Sequence, residues 1–473
     1  MERKTIHSVG IDIGTTTTQV IFSDLTVVNR APASQVPVYE FVEREITYQS
    51  PVEFTPINYQ GTLDAQAVRQ FIEQQIQQAG LAAEGVETGA IIITGETAKA
   101  HNARTALLDL SQQLGDFVVA TAGPNLESVI AGRGSGAQER SAQQHQRIMN
   151  IDIGGGTSNY VVFDCGRVVE TACLNIGGRL VELDQEGNVA YLHKPALAVI
   201  KSLFGEALHP RQVTQDHLKR VVDRMAELIV EVMLGELSPL AVQLLQTPAM
   251  SDLANIDAVY LSGGVGECYY RPPVTATLYG DVGPALAQAL QRNPSMAASP
   301  VQPPSQTVRA TVIGAGAYSL SLSGATIWLN SAELPIKNIP VIHPAIDWSV
   351  SSPALCEAIC LAGERMDLAL GIDRYAVAID GGMPVTYAAV QHVAQELARF
   401  YQNHGNHHDP AFVIVHNDIG KALGMELQPQ LAPQPVSVID EVITREGDYI
   451  DIGKSYFGGE IVPLTVKSLA FPS

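Results

Sequence analysis

The sequence predicts an α/β protein with two related halves and an additional C-terminal α/β region. Residues 8–24 read SVGIDIGTTTTQVIFSD and residues 148–164 read IMNIDIGGGTSNYVVFD, so Asp12 corresponds to Asp152. Apolar strand patterns alternate with amphipathic helix patterns along the chain, which is typical of α/β layers. The length of 473 residues is more than one hydrophobic core usually organises. We therefore expect an internal duplication with more than one domain.

The repeat divides the chain into three predicted parts. Residues 1–147 form a first half that opens with the first repeat, and residues 148–330 form a second half that opens with the second. Residues 331–473 form a C-terminal α/β region, because the pattern changes character after about residue 330.

Each repeat predicts a β-hairpin with an acidic residue at its mouth. The glycines are expected to allow positive φ and close approach to a ligand, and successive N–H groups in such a turn bind anions. Threonine hydroxyls add donors. The candidate phosphate-binding residues are Gly14, Thr15, Thr16, Thr17, Gly154, Gly155, Gly156 and Thr157. Asp12 and Asp152 are candidate catalytic residues that hold Mg²⁺ through its waters, since carboxylates facing a phosphate need a cation between them.

The first half continues with elements that its apolar spacing predicts. The amphipathic segment 64–79 predicts a helix with Asp64 as N-cap and Gly80 at its end. Further strands are predicted at 89–96 and 117–123, a helix at about 97–114, a helix within 124–137, and a polar surface connection at 138–147.

The second half and the C-terminal region alternate in the same way. For the second half we predict a helix over 216–236, a strand within 256–267, a proline-rich connection at 299–307 and a strand or turn leading into a helix at 311–324. For the C-terminal region we predict helices near 353–370, 385–402 and 419–426, and strands within 375–382, 411–418, 436–443 and 448–453.

A third glycine motif, LSGGVGE at 261–267, follows an apolar strand. A Gly-Gly turn at a strand end allows close packing against a flat ring, so Gly263 and Gly264 are candidate adenosine contacts. IDIGTTTT, IDIGGGTSN and LSGGVGE, in this order, resemble the phosphate-1, phosphate-2 and adenosine elements of the actin, Hsp70 and sugar-kinase superfamily. This resemblance covers roughly residues 5–325. It implies two ribonuclease-H-like halves with ATP and Mg²⁺ in the cleft between them.

The segment AGPNLESVIAGRGSGA at 122–137 occupies the place of a connecting helix in that superfamily. Glu127 lies there, and its carboxylate is a candidate for orienting the attacking water. An acidic residue in the first turn of a helix is equally well explained by the helix dipole, so the sequence leaves both roles open.

Longer stretches are similar to the ethanolamine ammonia-lyase reactivase family, EutA. They are TGETAKAHNA (94–103), AGPNLESVIAGRGSGA (122–137), RATVIGAGAYSLSLSGATIW (309–328), IVHNDIGKALGME (414–426) and YIDIGKSYFGGEIVPLTVKSLAF (449–471). The resemblance implies an ATPase that acts as a chaperone-like factor on ethanolamine ammonia-lyase. It would release inactivated cobalamin so that intact adenosylcobalamin can bind. A homodimer and association with a bacterial microcompartment stay open.

Three other functions of the same superfamily are alternatives. A small-molecule kinase usually places a base Asp before the second hairpin, whereas 138–147 contains Glu139 but no Asp. A filament-forming actin-like protein is a second alternative. An iron–sulfur activator of radical dehydratases is a third, but it needs grouped cysteines, and the five cysteines here are scattered.

Composition excludes some classes of partner and predicts the cellular compartment. A net charge of −20 argues against nucleic acid, and no apolar run is long enough to predict a membrane span. The N-terminus enters the first strand almost at once, so we expect no signal peptide. Without a CxxC pair, the cysteines predict a reduced, cytoplasmic protein, with Cys356 and Cys360 as buried thiols on one helix face. The histidines of the 404–408 segment are expected in a solvated loop rather than a metal site; they are His404, His407 and His408.

Overall fold

A computed structural model gives the architecture of most of the chain. It describes residues 3–14, 17–29, 39–51, 53–56, 63–80, 88–93, 117–121, 123–275, 278–307, 328–329, 336–349, 354–452 and 464–468. Thr15, Thr16 and the predicted helices at 97–114 and 311–324 lie outside the described residues, as does the side chain of Thr17. No helix in the described part of the chain is long and apolar enough to cross a membrane.

The first sheet is built around the first repeat. Its strands are β1 (Arg3–Ile13), β2 (Thr17–Asn29), β3 (Tyr39–Gln49), β4 (Glu53–Phe54), β5 (Thr88–Ile93) and β6 (Phe117–Thr121). The order is β3-β2-β1-β5-β6, with β4 paired to β2. Strands β1, β2 and β3 are antiparallel, whereas β5 and β6 run parallel to β1. The first strand of the repeat is thus central in its sheet.

Helix α1 (Ala65–Gln78) covers one face of this sheet and confirms the prediction over 64–79. The Asp64 side chain accepts a hydrogen bond from the Ala67 backbone N–H at 3.0 Å, which caps the helix. The apolar face of α1 joins the buried side chains of β1 in one core, in which Val68, Ile72, Ile11 and Ile13 are at most 1 % exposed.

The second sheet repeats the arrangement of the first. Its strands are β7 (Arg147–Ile153), β8 (Ser158–Asp164), β9 (Arg167–Leu174), β12 (Ala258–Ser262) and β13 (Val301–Gln302), while β10 (Val181–Leu183) and β11 (Val189–Leu192) form a separate pair. The order is β13-β12-β7-β8-β9, with β7, β8 and β9 antiparallel and β12 and β13 parallel to β7. Equal order and direction in both sheets confirm two related α/β halves.

Helices surround the second sheet. They are α2 (Pro124–Gly134), α3 (Ala137–Gln144), α4 (Lys194–Phe204), α5 (Gln215–Leu234), α6 (Pro239–Leu244), α7 (Gly263–Tyr270), α8 (Gly283–Arg292) and α9 (Pro294–Ala298), with a 3₁₀ turn at Pro210–Gln212. Helix α5 confirms the long helix predicted at 216–236 and contributes most of its apolar face to the core. The polar surface connection expected at 138–147 lies mostly at the surface, but helix α3 occupies most of it and buries Ser141.

The C-terminal region is a third α/β layer, as predicted. Its strands are β14 (Trp328–Leu329), β15 (Ile336–Ile342), β16 (Ala376–Ile379), β17 (Ala411–Val415), β18 (Val436–Ile439), β19 (Asp448–Ile452) and β20 (Leu464–Ser468), and its helices are α10 (Leu355–Arg365), α11 (Tyr387–His404) and α12 (Gly420–Leu431). Strands β15 to β18 are mutually parallel, and antiparallel strands flank them in the order β14-β18-β17-β16-β15-β19-β20. The domain boundaries at 147/148 and 330/331 stay predictions.

Candidate nucleotide site

The first hairpin places Asp12 near the carboxyl end of the central strand β1. Asp12 lies opposite Gln19 of β2 and is 8 % exposed. Because Ile11 and Ile13 enter the core beneath α1, strand alternation directs Asp12 to the other face of the sheet. The carbonyl of Gly14 accepts a hydrogen bond from the Thr55 hydroxyl at 2.7 Å, which fixes the start of the turn.

The second hairpin closes through a tight turn of glycines. The N–H of Gly154 donates to the carbonyl of Thr157 at 3.0 Å, and the carbonyl of Gly154 accepts from the N–H of Gly178 at 2.9 Å. A Cβ on Gly177 would lie 2.6 Å from the carbonyl carbon of Gly155, so the two backbones can approach only because this position is glycine. The backbone of Gly177 and Gly178 therefore packs against the turn and holds it in place.

The conformational role expected for these glycines is wrong. Gly154, Gly155 and Gly156 are not among the described glycines with positive φ. Gly156 has open space where a Cβ would project, which leaves the backbone of the turn accessible to a ligand. Gly156 thus leaves space around the backbone of the turn.

Asp152 is a buried carboxyl group in this hairpin. The Ser262 hydroxyl donates a hydrogen bond to its Oδ1 at 2.6 Å, and the side-chain amide of Asn150 donates to the Ser262 oxygen at 3.0 Å. Burial raises the pKa of Asp152 to about 6, and the Ser262 hydrogen bond opposes this shift. A buried carboxylate is stabilised by a nearby cation, so the position fits the Mg²⁺ that the sequence predicts.

Gly263 and Gly264 have different surroundings. Gly263 has φ +80°, and a Cβ there would lie 2.4 Å from the carbonyl oxygen of Ile153. Its N–H donates to the carbonyl of Thr307 at 2.9 Å, and the Thr307 hydroxyl in turn donates to the Glu267 carboxylate. A Cβ on Gly264 would meet no neighbouring atom within 4 Å. Gly263 therefore holds α7 against the end of β7, while the space beside Gly264 is open.

Glu127 lies half-buried in the first turn of α2, as predicted. The N-cap of this helix is Gly123, which has no side chain to cap it. Asp367 of the C-terminal region supplies the cap: its Oδ2 accepts from the N–H of Leu126 at 2.8 Å, and its Oδ1 accepts from the Asn125 amide at 3.2 Å. Burial raises the pKa of Asp367 to about 6. The helix that carries Glu127 is thus positioned by another part of the molecule.

Known proteins match the whole chain. A family model described as "Ethanolamine utilisation protein EutA" matches residues 4–472. The chain belongs to the EutA family. Two curated relatives named "Ethanolamine ammonia-lyase reactivase EutA" are 53 % identical (Salmonella typhimurium) and 54 % identical (Escherichia coli), each over 100 % of both chains. The family resemblance predicted from the sequence is confirmed.

One solved structure that the chain matches is the ethanolamine utilization protein EutJ from Carboxydothermus hydrogenoformans. It is 15 % identical to this EutA-family chain, and the match covers 66 % of this chain and 88 % of that one with a TM-score of 0.33.

Within this EutA-family chain, the structure brings together the candidates of the second half. The 154–157 turn, Asp152 and Gly263 meet where β7 and the neighbouring parallel strand β12 end. Asp12 and Gly14 lie at the equivalent end of β1, in the other sheet. That the two hairpins face each other around one nucleotide stays a prediction, as does the role of Glu127.

Sequence reasoning missed Ser262, Asn150 and Asp367. Ser262 stands opposite Asp152 in the β12–β7 register, so both side chains reach the same strand end. Its place directly before the Gly-Gly pair was the one signal available in the sequence. No local pattern marks Asp367, because its contact with α2 joins segments that are distant along the chain.

Proposed function

We propose that this protein is an ATP- and Mg²⁺-dependent reactivating factor for ethanolamine ammonia-lyase. It would release inactivated cobalamin from the lyase, so that intact adenosylcobalamin can rebind. The observation that carries this proposal is the identity of 53–54 % over the full length with curated proteins that bear this reactivase name. The kinase alternative has no such support, because both full-length relatives are named reactivases.

The geometry of the second hairpin supports nucleotide binding in particular. In the proposal, Asp152 and its counterpart Asp12 orient the waters of Mg²⁺, and Ser262 keeps the Asp152 carboxylate in place. The backbone of the 154–157 turn binds phosphate oxygens, and Gly264 faces the adenosine. Bound Mg²⁺ would supply positive charge that stabilises the negative charge developing on the phosphate during hydrolysis. Glu127 would orient the attacking water.

The proposed cycle follows from linkage between nucleotide and lyase. A ligand shifts a conformational equilibrium only by its different affinity for the two states. ATP and ADP would favour different arrangements of the two halves, and these arrangements would differ in affinity for the lyase. Equal binding of the lyase with ATP, with ADP and without nucleotide would exclude this cycle.

The decisive experiment is a reactivation assay with lyase that carries an inert cobalamin. The protein, ATP and Mg²⁺ are added, followed by adenosylcobalamin, and deamination of ethanolamine is measured. We expect recovery with ATP and none without it. ATP turnover is also measured with sugars and short acids, and stimulation by such an acceptor without any reactivation would favour the kinase.

Asp152→Asn is the sharpest variant for this assay. The amide still accepts the Ser262 hydrogen bond but has no charge for Mg²⁺, so we expect reactivation and ATP turnover to be lost. Because the folded pKa of about 6 exceeds the ordinary value of 3.8, ionisation destabilises the folded protein at neutral pH. The variant should therefore be more stable than the parent at pH 7 by about 1–3 kcal/mol.

Asp164→Asn is the matched control. Asp164 ends the same hairpin on β8, its side chain is 44 % exposed, and it stands beside Arg147 at 3.9 Å. We expect reactivation to be unchanged and stability to change by less than about 0.5 kcal/mol. Full reactivation by Asp152→Asn would contradict the proposed role of Asp152.

A further inference from the structure

Two helices of the C-terminal region bring together side chains that ligate metals. Cys356 and Cys360 lie on α10, and His404 is the last residue of α11 rather than part of the loop predicted for it. The two Sγ atoms and a ring nitrogen of His404 all lie within 4.8 Å of one another. None of the three belongs to the proposed nucleotide site.

The helices hold this cluster in place. Cys356 and Cys360 are four residues apart and therefore share one face of α10. The N–H of Cys356 donates to the Glu396 carboxylate of α11 at 3.4 Å, which joins the start of α10 to its neighbour. The His404 ring stacks on Phe400 with centroids 6.3 Å apart. Because Phe400 is fully buried, the histidine is anchored to the core that both helices share.

Exposure increases across the cluster from one side to the other. Cys356 is buried, Cys360 is half-buried and His404 is exposed. One side of the cluster therefore faces the core, and the other side meets solvent. A metal ion can reach the cluster from solvent, and water can complete its coordination.

We propose that Cys356, Cys360 and His404 bind one Zn²⁺ ion, with water as the fourth ligand. Sulfur and imidazole donors favour Zn²⁺ over Mg²⁺ and Ca²⁺, which prefer oxygen. Two thiolates also neutralise the charge of the ion. In a tetrahedral zinc site the ligand atoms lie about 3.3–3.8 Å apart, so small side-chain movements convert the observed cluster into a coordination shell.

The site would have a structural role. Zinc would tie the first helix of the C-terminal region to the helix that follows it, and metal binding to a folded site stabilises the fold. Helix α10 leads within two residues to Asp367, which caps α2. Zinc would thus stiffen the segment that positions the start of α2. This inference does not depend on the proposed function.

The test uses the full-length protein, stripped of metal with a chelator and kept reduced. Co²⁺ is titrated first, because thiolate coordination gives a charge-transfer band in the near ultraviolet and tetrahedral geometry gives intense visible bands. We expect one equivalent to bind, Zn²⁺ to displace it, and Zn²⁺ to raise the unfolding midpoint.

Cys360→Ser and His404→Ala should each weaken metal binding by more than about tenfold. Replacing a residue that only supports a metal ligand already costs about tenfold, and these variants remove the ligands themselves. Cys165→Ser and His407→Ala are matched controls, because both residues are exposed and lie outside the cluster. Circular dichroism checks that each variant folds.

Two metal-binding results and one stability result would overturn the proposal. One is a folded parent protein that shows no thiolate–Co²⁺ band. The other is a Cys356→Ser, Cys360→Ser double variant that binds Co²⁺ and Zn²⁺ as tightly as the parent. A midpoint that rises equally with Zn²⁺ in the parent and in folded Cys360→Ser would likewise exclude this site as the cause.

Discussion

At the scale of single residues, adjacent glycines of one motif serve different physical purposes. Gly263 is required by its backbone: its φ of +80° and the carbonyl oxygen of Ile153 both exclude a side chain. Gly264 is under no such constraint, since no neighbouring atom lies within 4 Å of a Cβ there. Stability explains the first glycine, whereas a ligand in the open space is our prediction for the second.

Substituting the two glycines separates these purposes. Gly263→Ala should lower the free energy of unfolding by about 1–2 kcal/mol from the left-handed backbone alone, with a further loss from the close contact to Ile153. Gly264→Ala lies in a helix and should leave stability unchanged or raise it by up to about 1 kcal/mol. Urea unfolding of both variants measures the difference.

Nucleotide affinity provides the second measurement for this pair. If the adenosine packs against Gly264, the added methyl group of Gly264→Ala should weaken ATP binding, as followed by calorimetry. ATP binding as tight as that of the parent would place the adenosine elsewhere.

At the scale of elements, helix α2 shows how one region positions another. Its N-cap, Gly123, offers no side chain, and Asp367 provides the missing acceptor for the N–H of Leu126. A Cβ on Gly123 would lie 2.4 Å from Cγ of Asp367. Gly123 thus leaves the space that the Asp367 side chain occupies, and Asp367 supplies the cap that Gly123 lacks.

This dependence predicts non-additive substitutions. Serine is a favourable N-cap in general, yet Gly123→Ser should destabilise the protein because its side chain collides with Asp367. Asp367→Ala should cost about 0.5–2 kcal/mol through the lost cap. In the double variant the serine has room to cap α2 itself. The double variant should therefore lose less free energy of unfolding than the sum of the losses of the two single variants.

Denaturant unfolding of the parent, both single variants and the double variant measures the coupling. Additive losses would show that Gly123 and Asp367 act independently. ATP turnover of the same proteins tests whether the start of α2 matters for Glu127.

At the scale of the whole molecule, buried ionisable groups set the response to pH. Burial raises the pKa values of Asp152, Asp367 and Asp440 to about 6. Burial also lowers the pKa of His343 to about 4. The carboxyls bind protons more readily in the folded state, whereas the histidine binds them more readily in the unfolded state. Protonation of the folded-state carboxyls therefore raises the free energy of unfolding as the pH falls through 6. Protonation of His343 in the unfolded state lowers the free energy of unfolding as the pH falls below 6.5.

The carboxyls outnumber the histidine in this set, so acidification should stabilise the protein slightly. From about pH 7.5 to about pH 5.5, we expect the free energy of unfolding to rise by about 1 kcal/mol. Protonation also reduces the repulsion that accompanies a net charge of −20. Chemical unfolding across this pH range provides the measurement.

Replacing the carboxyls tests the cause of this trend. In a variant with Asp152→Asn, Asp367→Asn and Asp440→Asn, the influence of His343 remains, so stability should fall rather than rise on acidification. A rise of the same size in the variant would show that other groups dominate.

The sequence by itself determined the α/β class, the two related halves and the family. Each hairpin depends on short-range information, namely β-branched runs, a glycine turn and an Asp at the strand end, and the same pattern occurs twice. Helices such as α1 and α5 were equally predictable, because their apolar spacing and end residues are local. The helical form of α3 was not predictable from its polar residues, because a surface helix needs few buried positions.

Only the tertiary structure decided which distant residues meet. The register of β12 against β7 puts Ser262 on Asp152, the packing of the C-terminal region puts Asp367 on α2, and the packing of α10 on α11 puts His404 beside the two cysteines. Local preferences act over a few residues and can be read from the sequence. Register and helix packing are set by the burial of whole faces, which no short segment specifies.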